Sequence, residues 1–305
     1  CKNYIKFLDQ GKTERECVKQ IVKLAQEHGY VELTEVTKSG KSLKSGDKVY
    51  SVCMDKTVAM FQIGKKKLEK GMNILGAHID SPRMDVKQNP LYESEDFAYL
   101  DTHYYGGIKK YQWVTLPLAL HGVIVKKDGS IETVNIGEDK SDPVFCVTDL
   151  LIHLAGEQME KKANKVIEGE NLDILVGSKP LKGEEKDAVK AGILAILKDK
   201  YGMDEEDFMS AEIEVVPAGR AREAGLDKSM IMSYGQDDRV CAYTSLAAML
   251  EIENPDKTTC CLLTDKEEIG SVGATGMQSR FFENSVAELM DAMGEFSELS
   301  LRRCL

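Results

Sequence analysis

The sequence predicts an α/β fold that is interrupted by an inserted, β-rich domain. Two apolar runs, residues 73–77 and 258–264, lack the polar alternation of a half-exposed strand, which is typical of strands buried on both faces of a sheet. Each run is followed directly by a polar cluster, and strand ends are where α/β folds place their functional groups. Residues 94–220, between the two runs, contain strands and helices of their own. We therefore expect one domain built from residues 1–93 and 221–305, with 94–220 as the insert.

Local signals predict the elements in order. Thr13 and Glu16 form a capping box that begins an amphipathic helix over 13–28, and Gly29 ends it. Residues 48–63, rich in strand-forming side chains around a central turn, predict a hairpin. The insert predicts three strands and two helices: strands at 121–125, 131–136 and 211–216, and helices near 145–163 and 184–200. Behind the insert a helix begins at Asp237, and its apolar residues recur at helical spacing: Val240, Tyr243, Leu246, Ala247 and Leu250.

Composition excludes several classes of protein. The 305 residues carry 51 acidic and 40 basic side chains, a net charge of −11, whereas a nucleic-acid surface needs a basic stripe. No apolar run approaches the roughly 20 residues that cross a bilayer, and no leader-like segment opens the chain. Eight cysteines without a CxxC spacing predict reduced thiols, with Cys260 and Cys261 on opposite faces of a strand. We expect a soluble, cytoplasmic protein that binds neither nucleic acid nor membrane.

Three polar clusters supply the side chains of a two-metal hydrolase. They are His78 with Asp80, Asp237 with Asp238, and Glu267 with Glu268. Imidazole and carboxylate groups are zinc ligands, and two ions about 3.5–4 Å apart activate water against a carbonyl. A carboxylate next to a ligating one can stay off the metal and accept a proton, and Asp80 is placed to fix the tautomer of His78. Each cluster alone is more often a loop hydrogen bond, a helix N-cap or a solvated pair, and only their joint position at strand and helix ends favours a metal site.

Four ordered motifs resemble the M18 metallo-aminopeptidases, the group of aspartyl aminopeptidase and aminopeptidase I. The motifs are residues 76–83 (GAHIDSPR), 104–108 (YYGGI), 236–239 (QDDR) and 264–271 (TDKEEIGS). The resemblance runs over nearly the whole chain, including the insert. It implies a three-layer zinc-exopeptidase-like catalytic domain carrying an inserted β-rich dimerisation domain.

The resemblance also implies roles for individual residues. His78 would bind one zinc ion, Asp237 would bridge both, and Glu268 would bind the other, with Co²⁺ or Mn²⁺ as alternative ions. Glu267 would be the general base, and Asp80 would support His78. A cis peptide is expected between Asp237 and Asp238.

The insert would join subunits into dimers that assemble further to a dodecamer, and peptides would be the substrates. In the segment 150–154, His153 would reach the active site of the neighbouring subunit. A buried helical histidine with a backbone partner is the competing interpretation of His153.

The ligand count departs from the family pattern. His78, Asp237 and Glu268 are three side chains where about five are usual for two tetrahedral ions that share a water, and no histidine follows His153. The chain also begins at Cys1. We expect it to be part of a longer protein, and we expect the 305 residues alone to bind metal weakly and to lack peptidase activity. A deacylase or deblocking peptidase of a neighbouring zinc family, and a non-catalytic assembly or cargo-binding relative, are the alternatives.

Overall fold

The computed structural model describes residues 1–304, which divide into two compact units. The first unit combines Cys1–Ser81 with residues 221–304, and the second is Pro82–Arg220. The expected boundary between residues 93 and 94 differs from this division, because the strand Arg83–Ser94 pairs with Phe97–Tyr105 inside the second unit.

The secondary structure has the following bounds. The helices are α1 (Lys2–Gln10), α2 (Glu14–Glu27), α3 (Leu33–Ser39), α4 (Gly156–Met159), α5 (Ala188–Tyr201), α6 (Gln236–Glu251), α7 (Phe281–Ala292) and α8 (Glu298–Cys304). The strands are β1 (Val31–Glu32), β2 (Lys48–Cys53), β3 (Thr57–Gln62), β4 (Asn73–His78), β5 (Arg83–Ser94), β6 (Phe97–Tyr105), β7 (Leu118–Val125), β8 (Ile131–Ile136), β9 (Cys146–Val147), β10 (Ile174–Gly177), β11 (Ala211–Pro217), β12 (Arg222–Ala224), β13 (Met230–Met232) and β14 (Thr259–Thr264).

A five-stranded sheet in the order β1-β2-β3-β14-β4 organises the first unit. The predicted hairpin is confirmed as β2 and β3, which pair antiparallel. Strand β14 runs antiparallel to β3 and parallel to β4, with Thr264 opposite His78. Because β4 and β14 are parallel neighbours, their carboxyl ends meet at one edge of the sheet.

Alternating side chains cover both faces of this sheet. Met60 and Cys261 belong to a core that also contains residues of α2 and α6, whereas Phe61 and Cys260 belong to a second core with residues of α7 and α8. Both cysteines are free, as expected, and they face opposite sides. The first unit is thus a sheet between two helical layers, in agreement with the expected three-layer arrangement.

The capping box predicted for α2 is present. Thr13 Oγ1 accepts from the backbone N–H of Glu16 at 3.3 Å, while the Glu16 carboxylate accepts from the N–H of Thr13 at 3.2 Å. Gly29 follows the helix at a φ of 84°, a value that a residue with a Cβ adopts only with strain.

One expectation about burial is wrong. Strand β14 is buried along its whole length, but β4 is the last strand of the sheet in the described residues, and Ile74 and Leu75 are 47% and 36% exposed. In α6, Leu246 is buried and Tyr243 and Leu250 pack against the same core, as the helical spacing predicts, whereas Val240 is exposed.

An antiparallel seven-stranded sheet in the order β8-β7-β11-β5-β6-β10-β9 forms the second unit. The predicted strands correspond to β7, β8 and β11, and the helix expected near 184–200 is α5. The helix expected near 145–163 is wrong: this stretch holds the short strand β9, a single 3-10 turn at Ile152–Leu154, and the four-residue α4. Its large apolar side chains between 150 and 159 are exposed, and a helix without a packed face is marginal in water.

Among the helices described, none is both long and apolar enough to span a membrane.

Candidate active site

His78 is the last residue of β4, so the sheet fixes its backbone opposite Thr264 of β14. Its Nδ1 lies 3.0 Å from the carbonyl oxygen of Asp80. A carbonyl only accepts, so Nδ1 carries a proton and donates it. The other nitrogen, Nε2, is directed to Asp237, whose Oδ1 is 3.2 Å away.

Asp80 is fully buried and joins the His78 segment to the segment that follows β14. Its Oδ1 accepts from the N–H of Glu267 and its Oδ2 from the N–H of Glu268, both at 3.2 Å. Oδ1 also lies 3.4 Å from Nδ1 of His78. One carboxylate therefore orients the imidazole and holds the backbone of both glutamates.

Asp237 lies at the start of α6 with non-helical dihedral angles, and the peptide bond that joins it to Asp238 is cis, as the family resemblance implied. Its side chain is 87% exposed. The neighbouring Asp238 points elsewhere, since its Oδ1 accepts from the N–H of Cys241 at 3.3 Å. Of the two aspartates, Asp237 is the one beside His78.

Glu267 and Glu268 begin a single 3-10 turn, which Asp265 and Lys266 connect to the end of β14. The turn is supported from below by Asp265, which is fully buried and accepts from the N–H of Lys266 at 2.8 Å and from Thr275 Oγ1 at 2.5 Å. Asp80 thus holds the backbone of both glutamates, and Asp265 holds the backbone of Lys266 directly before them.

These segments bring four acidic or imidazole side chains together. One ligand atom each of His78, Glu267 and Glu268 lies within 4.8 Å of the others, and Asp237 is in contact with His78. Glu267 Oε2 lies 3.9 Å from Nε2 of His78, and its side chain is 57% exposed. The residues predicted as metal ligands and general base are therefore neighbours, with Asp80 behind them.

The cluster concentrates negative charge. Burial by itself lowers the pKa of His78, but the hydrogen bond to Asp80 and the charges of Asp80 and Glu267 raise it to about 9. The pKa of Glu268 is raised, first by burial and then by the neighbouring carboxylates, although the charge of His78 opposes the shift. Both shifts mean that the cluster binds protons readily, and a site that attracts protons in this way also attracts a metal cation.

The donor set fits zinc. Zinc binds imidazole nitrogen and carboxylate oxygen, and Nε2 of His78 faces the carboxylates while Nδ1 is held by a backbone carbonyl. His153 lies in the second unit, exposed on the 3-10 turn Ile152–Leu154 rather than buried in a helix.

Sequence reasoning missed three supporting residues of this site. Asp265 belongs to the same acidic cluster as Glu267 and Glu268, and nothing in the sequence distinguishes its supporting role. Ser81 donates from Oγ to the carbonyl of Asp237 at 2.7 Å, and Arg239 donates to Ser81 Oγ at 2.8 Å. The charge of Arg239 at a position on the buried side of α6 is the signal that could have drawn attention to it, because a buried arginine needs partners.

Known proteins resemble the chain over its whole length. Residues 7–303 match the family model described as aminopeptidase I zinc metalloprotease (M18). A protein from Clostridium acetobutylicum, named probable M18 family aminopeptidase 1, is 62% identical over 300 residues, which are 98% of this chain and 64% of that protein.

Solved structures resemble it as well. The crystal structure of an M18 family aminopeptidase from Thermotoga maritima has 46% identity and a TM-score of 0.93, covering 99% of this chain and 66% of that one. The S. cerevisiae mApe1 dodecamer shares the fold, with a TM-score of 0.72 at 20% identity over 95% of this chain and 66% of its own. The chain thus spans roughly two thirds of the length of the relatives it matches, 64% and 66% in the first two cases.

Proposed function

The chain belongs to the M18 family of metallo-aminopeptidases, and we propose that the protein removes single residues from the N-termini of peptides with two zinc ions. The observation that carries this proposal is the meeting of His78, Asp237, Glu267 and Glu268 around one small volume, from segments far apart in the sequence. Ordinary solvated surface residues would not be expected to converge in this way.

We assign the roles as follows. His78 and Glu268 would each hold one zinc ion, and Asp237 would serve as a ligand to both. When bound, the ions would supply Lewis-acid polarisation of the scissile carbonyl and of the attacking water. Asp80 holds His78 in the tautomer whose Nε2 is available as a ligand.

Glu267 is proposed as the general base. Its backbone is fixed by Asp80, while its carboxylate faces solvent beside His78. It would take a proton from the attacking water and return it to the amine of the departing peptide. A general base has to be held close to the metal site, and the fixed backbone of Glu267 and its position beside His78 support this role.

Two glutamine variants test the assignment in the full-length protein. We expect Glu267→Gln to lower kcat by about 10²–10⁴-fold with zinc content retained, because a general base acts on the water. Glu268→Gln, in contrast, should bind less zinc than wild type, because this carboxylate is a proposed ligand. Turnover of aminoacyl anilides and zinc content by atomic absorption are the measurements, with exposed Glu253→Gln as the control. If Glu267→Gln loses zinc and Glu268→Gln keeps it, base and ligand are exchanged.

We further propose that the insert joins subunits and that His153 enters the partner's active site, within a larger homo-oligomer such as a dodecamer. The support is the exposed apolar stretch around His153, in which Ile152 and Leu154 are each 67% exposed. Side chains of this kind leave water when a second subunit covers them.

A non-catalytic assembly or cargo-binding role is the competing proposal. It predicts that the full-length protein contains no zinc and does not cleave anilides, so the same two measurements decide between them. For the 305 residues alone we expect weak zinc binding and no turnover, since three predicted ligands are fewer than two tetrahedral ions need.

A further inference from the structure

We propose that Arg239 and Ser81 act as a pair of positioning residues that sets the separation of His78 and Asp237. The inference rests on the proposed function, in which those two residues hold zinc. Neither Arg239 nor Ser81 touches substrate or metal in this scheme. Their effect is exerted through the carbonyl of Asp237.

Arg239 is a buried cation, 1% exposed, whose contacts are directional. Its Nη2 donates to the carbonyl of Lys12 at 2.8 Å, its Nε to Sγ of Cys17 at 3.3 Å, and its Nη1 to Ser81 Oγ at 2.8 Å. Within the described residues no carboxylate lies at ion-pair distance from the guanidinium. The acceptors that contact the guanidinium are neutral, and together they fix it in one orientation.

Gly235 makes room for this guanidinium. Its φ is 75°, and a Cβ at this position would overlap Nη1 of Arg239. The carbonyl of Gly235 also accepts from Nη1 at 3.3 Å. The turn before α6 is thus built around the arginine side chain.

The direction of the hydrogen bonds follows from the chemistry of the groups. A guanidinium has donors only, so Ser81 Oγ must be the acceptor in its bond with Arg239. The single hydroxyl proton of Ser81 is then left for its second contact, the carbonyl of Asp237 at 2.7 Å. A hydroxyl that already accepts from a cation is also a stronger donor, because successive hydrogen bonds polarise one another.

This chain of bonds connects the two ligand-bearing segments. Ser81 is three residues after His78, and Asp237 lies at the start of α6. The Asp237 side chain, which contacts Nε2 of His78, is exposed to solvent. The hydrogen bond between Arg239 and Ser81, in contrast, is buried. We therefore infer that the distance between His78 and Asp237 is fixed by the hydrogen bonds of Ser81 with Arg239 and with the carbonyl of Asp237.

Ser81→Ala tests the assignment in the full-length protein, with Ser81→Thr as the variant that keeps the hydroxyl. Ser210→Ala is the matched control, since Ser210 Oγ also donates to a backbone carbonyl at 2.7 Å, in the second unit. We expect Ser81→Ala to weaken Co²⁺ and Zn²⁺ binding to metal-free protein by about 10–100-fold by calorimetry. The visible spectrum of the Co²⁺ form should change, and kcat should fall more than KM rises.

Ser81→Thr should bind Co²⁺ within about threefold of wild type, well inside the loss expected for Ser81→Ala. Unchanged metal affinity and an unchanged Co²⁺ spectrum in folded Ser81→Ala overturn the proposal and leave the proposed function standing. A wild-type protein that neither binds zinc nor cleaves peptides overturns the proposed function instead. In that case a crystal structure of metal-free Ser81→Ala decides the positioning role: a longer separation than the 3.2 Å between His78 and Asp237 supports it, and an unchanged one overturns it.

Discussion

Asp80 shows how one buried side chain can organise several functional groups. Its two oxygens accept from the N–H groups of Glu267 and Glu268, and Oδ1 also faces His78. Replacement by asparagine keeps the shape but turns one acceptor into an NH₂ donor, which then faces a backbone N–H. The substitution therefore separates the acceptor role of Asp80 from its volume.

We expect Asp80→Asn to lower the free energy of unfolding by about 1–3 kcal/mol, the cost of a buried donor without its acceptor. Zinc affinity of the full-length protein should fall about 10–100-fold, as is typical when the partner of a ligating histidine is lost. Urea unfolding and calorimetric zinc titration measure the two effects. Exposed Asp291→Asn, in α7, should change neither. Wild-type values for Asp80→Asn in both experiments would contradict the role given to it.

The residues proposed as metal ligands and general base were easier to predict than those that support them. His78 directly follows one apolar run, and Glu267 and Glu268 belong to the polar cluster that follows the other, so the sequence alone marks them as strand-end groups; Asp80 was predicted as a partner of His78. That Asp80 also holds both glutamates could not be predicted, because those contacts join residues 187 and 188 positions apart. Short motifs report neighbours along the chain, whereas support for a site comes from neighbours in space.

Strand β4 illustrates the same limit at the level of an element. Residues 73–77 and 258–264 look alike in sequence, yet β14 lies between two strands and β4 has a neighbour on one side only in the described part of the chain. An apolar run without alternation predicts that a strand packs on both faces. It does not say which place in the sheet the strand occupies, nor what covers it.

We expect this position to determine hydrogen exchange in the 305-residue chain. Backbone N–H groups of β14 bond to strands on both sides, whereas half of those of a parallel edge strand point away from their single neighbour. Amides of β14 should therefore exchange at rates set by global unfolding, and the outward amides of β4 should exchange far sooner. NMR-detected exchange in D₂O measures this, with β2 and β3, an antiparallel pair, as internal reference. Equal protection along β4 and β14 would show that β4 is not an open edge.

Helix prediction failed where tertiary packing was absent. The helix predicted over 13–28 has a capping box and a packed face, and α2 forms there. The stretch 145–163 contains enough apolar residues for a helix, but Leu150, Leu151, Ile152 and Leu154 are all more than half exposed. Since packing supplies most of the stability of a short helix, an apolar stretch without a packed face stays irregular.

At the scale of the whole molecule, the candidate active site and the proposed interface are formed by residues of different units. The candidate active site belongs entirely to the first unit, while the exposed apolar stretch and His153 belong to the second. If an oligomer brings His153 of one subunit to the site of another, activity becomes a property of the assembly. Mutations in two different subunits can then compensate for each other, which a monomeric enzyme does not allow.

Mixed oligomers test this arrangement in the full-length protein. We expect His153→Ala and Glu267→Gln each to be strongly impaired alone, since each lesion disables every site of a uniform assembly. On equal co-expression, half of the dimers are mixed, and each mixed dimer has one site with an intact Glu267 that receives an intact His153. Anilide turnover should recover to about a quarter of the wild-type value, as expected for a two-fold symmetric pair.

A second mixture serves as the control. Glu267→Gln and Glu268→Gln affect the same site, so neither subunit of their mixed dimer has a complete set and the mixture should stay inactive. If activity recovers only in the first mixture, one active site must use Glu267 of one subunit and His153 of the other. Full activity of His153→Ala alone, or no recovery in a mixture shown by differential tags to contain mixed dimers, would mean that each site is completed within its own subunit.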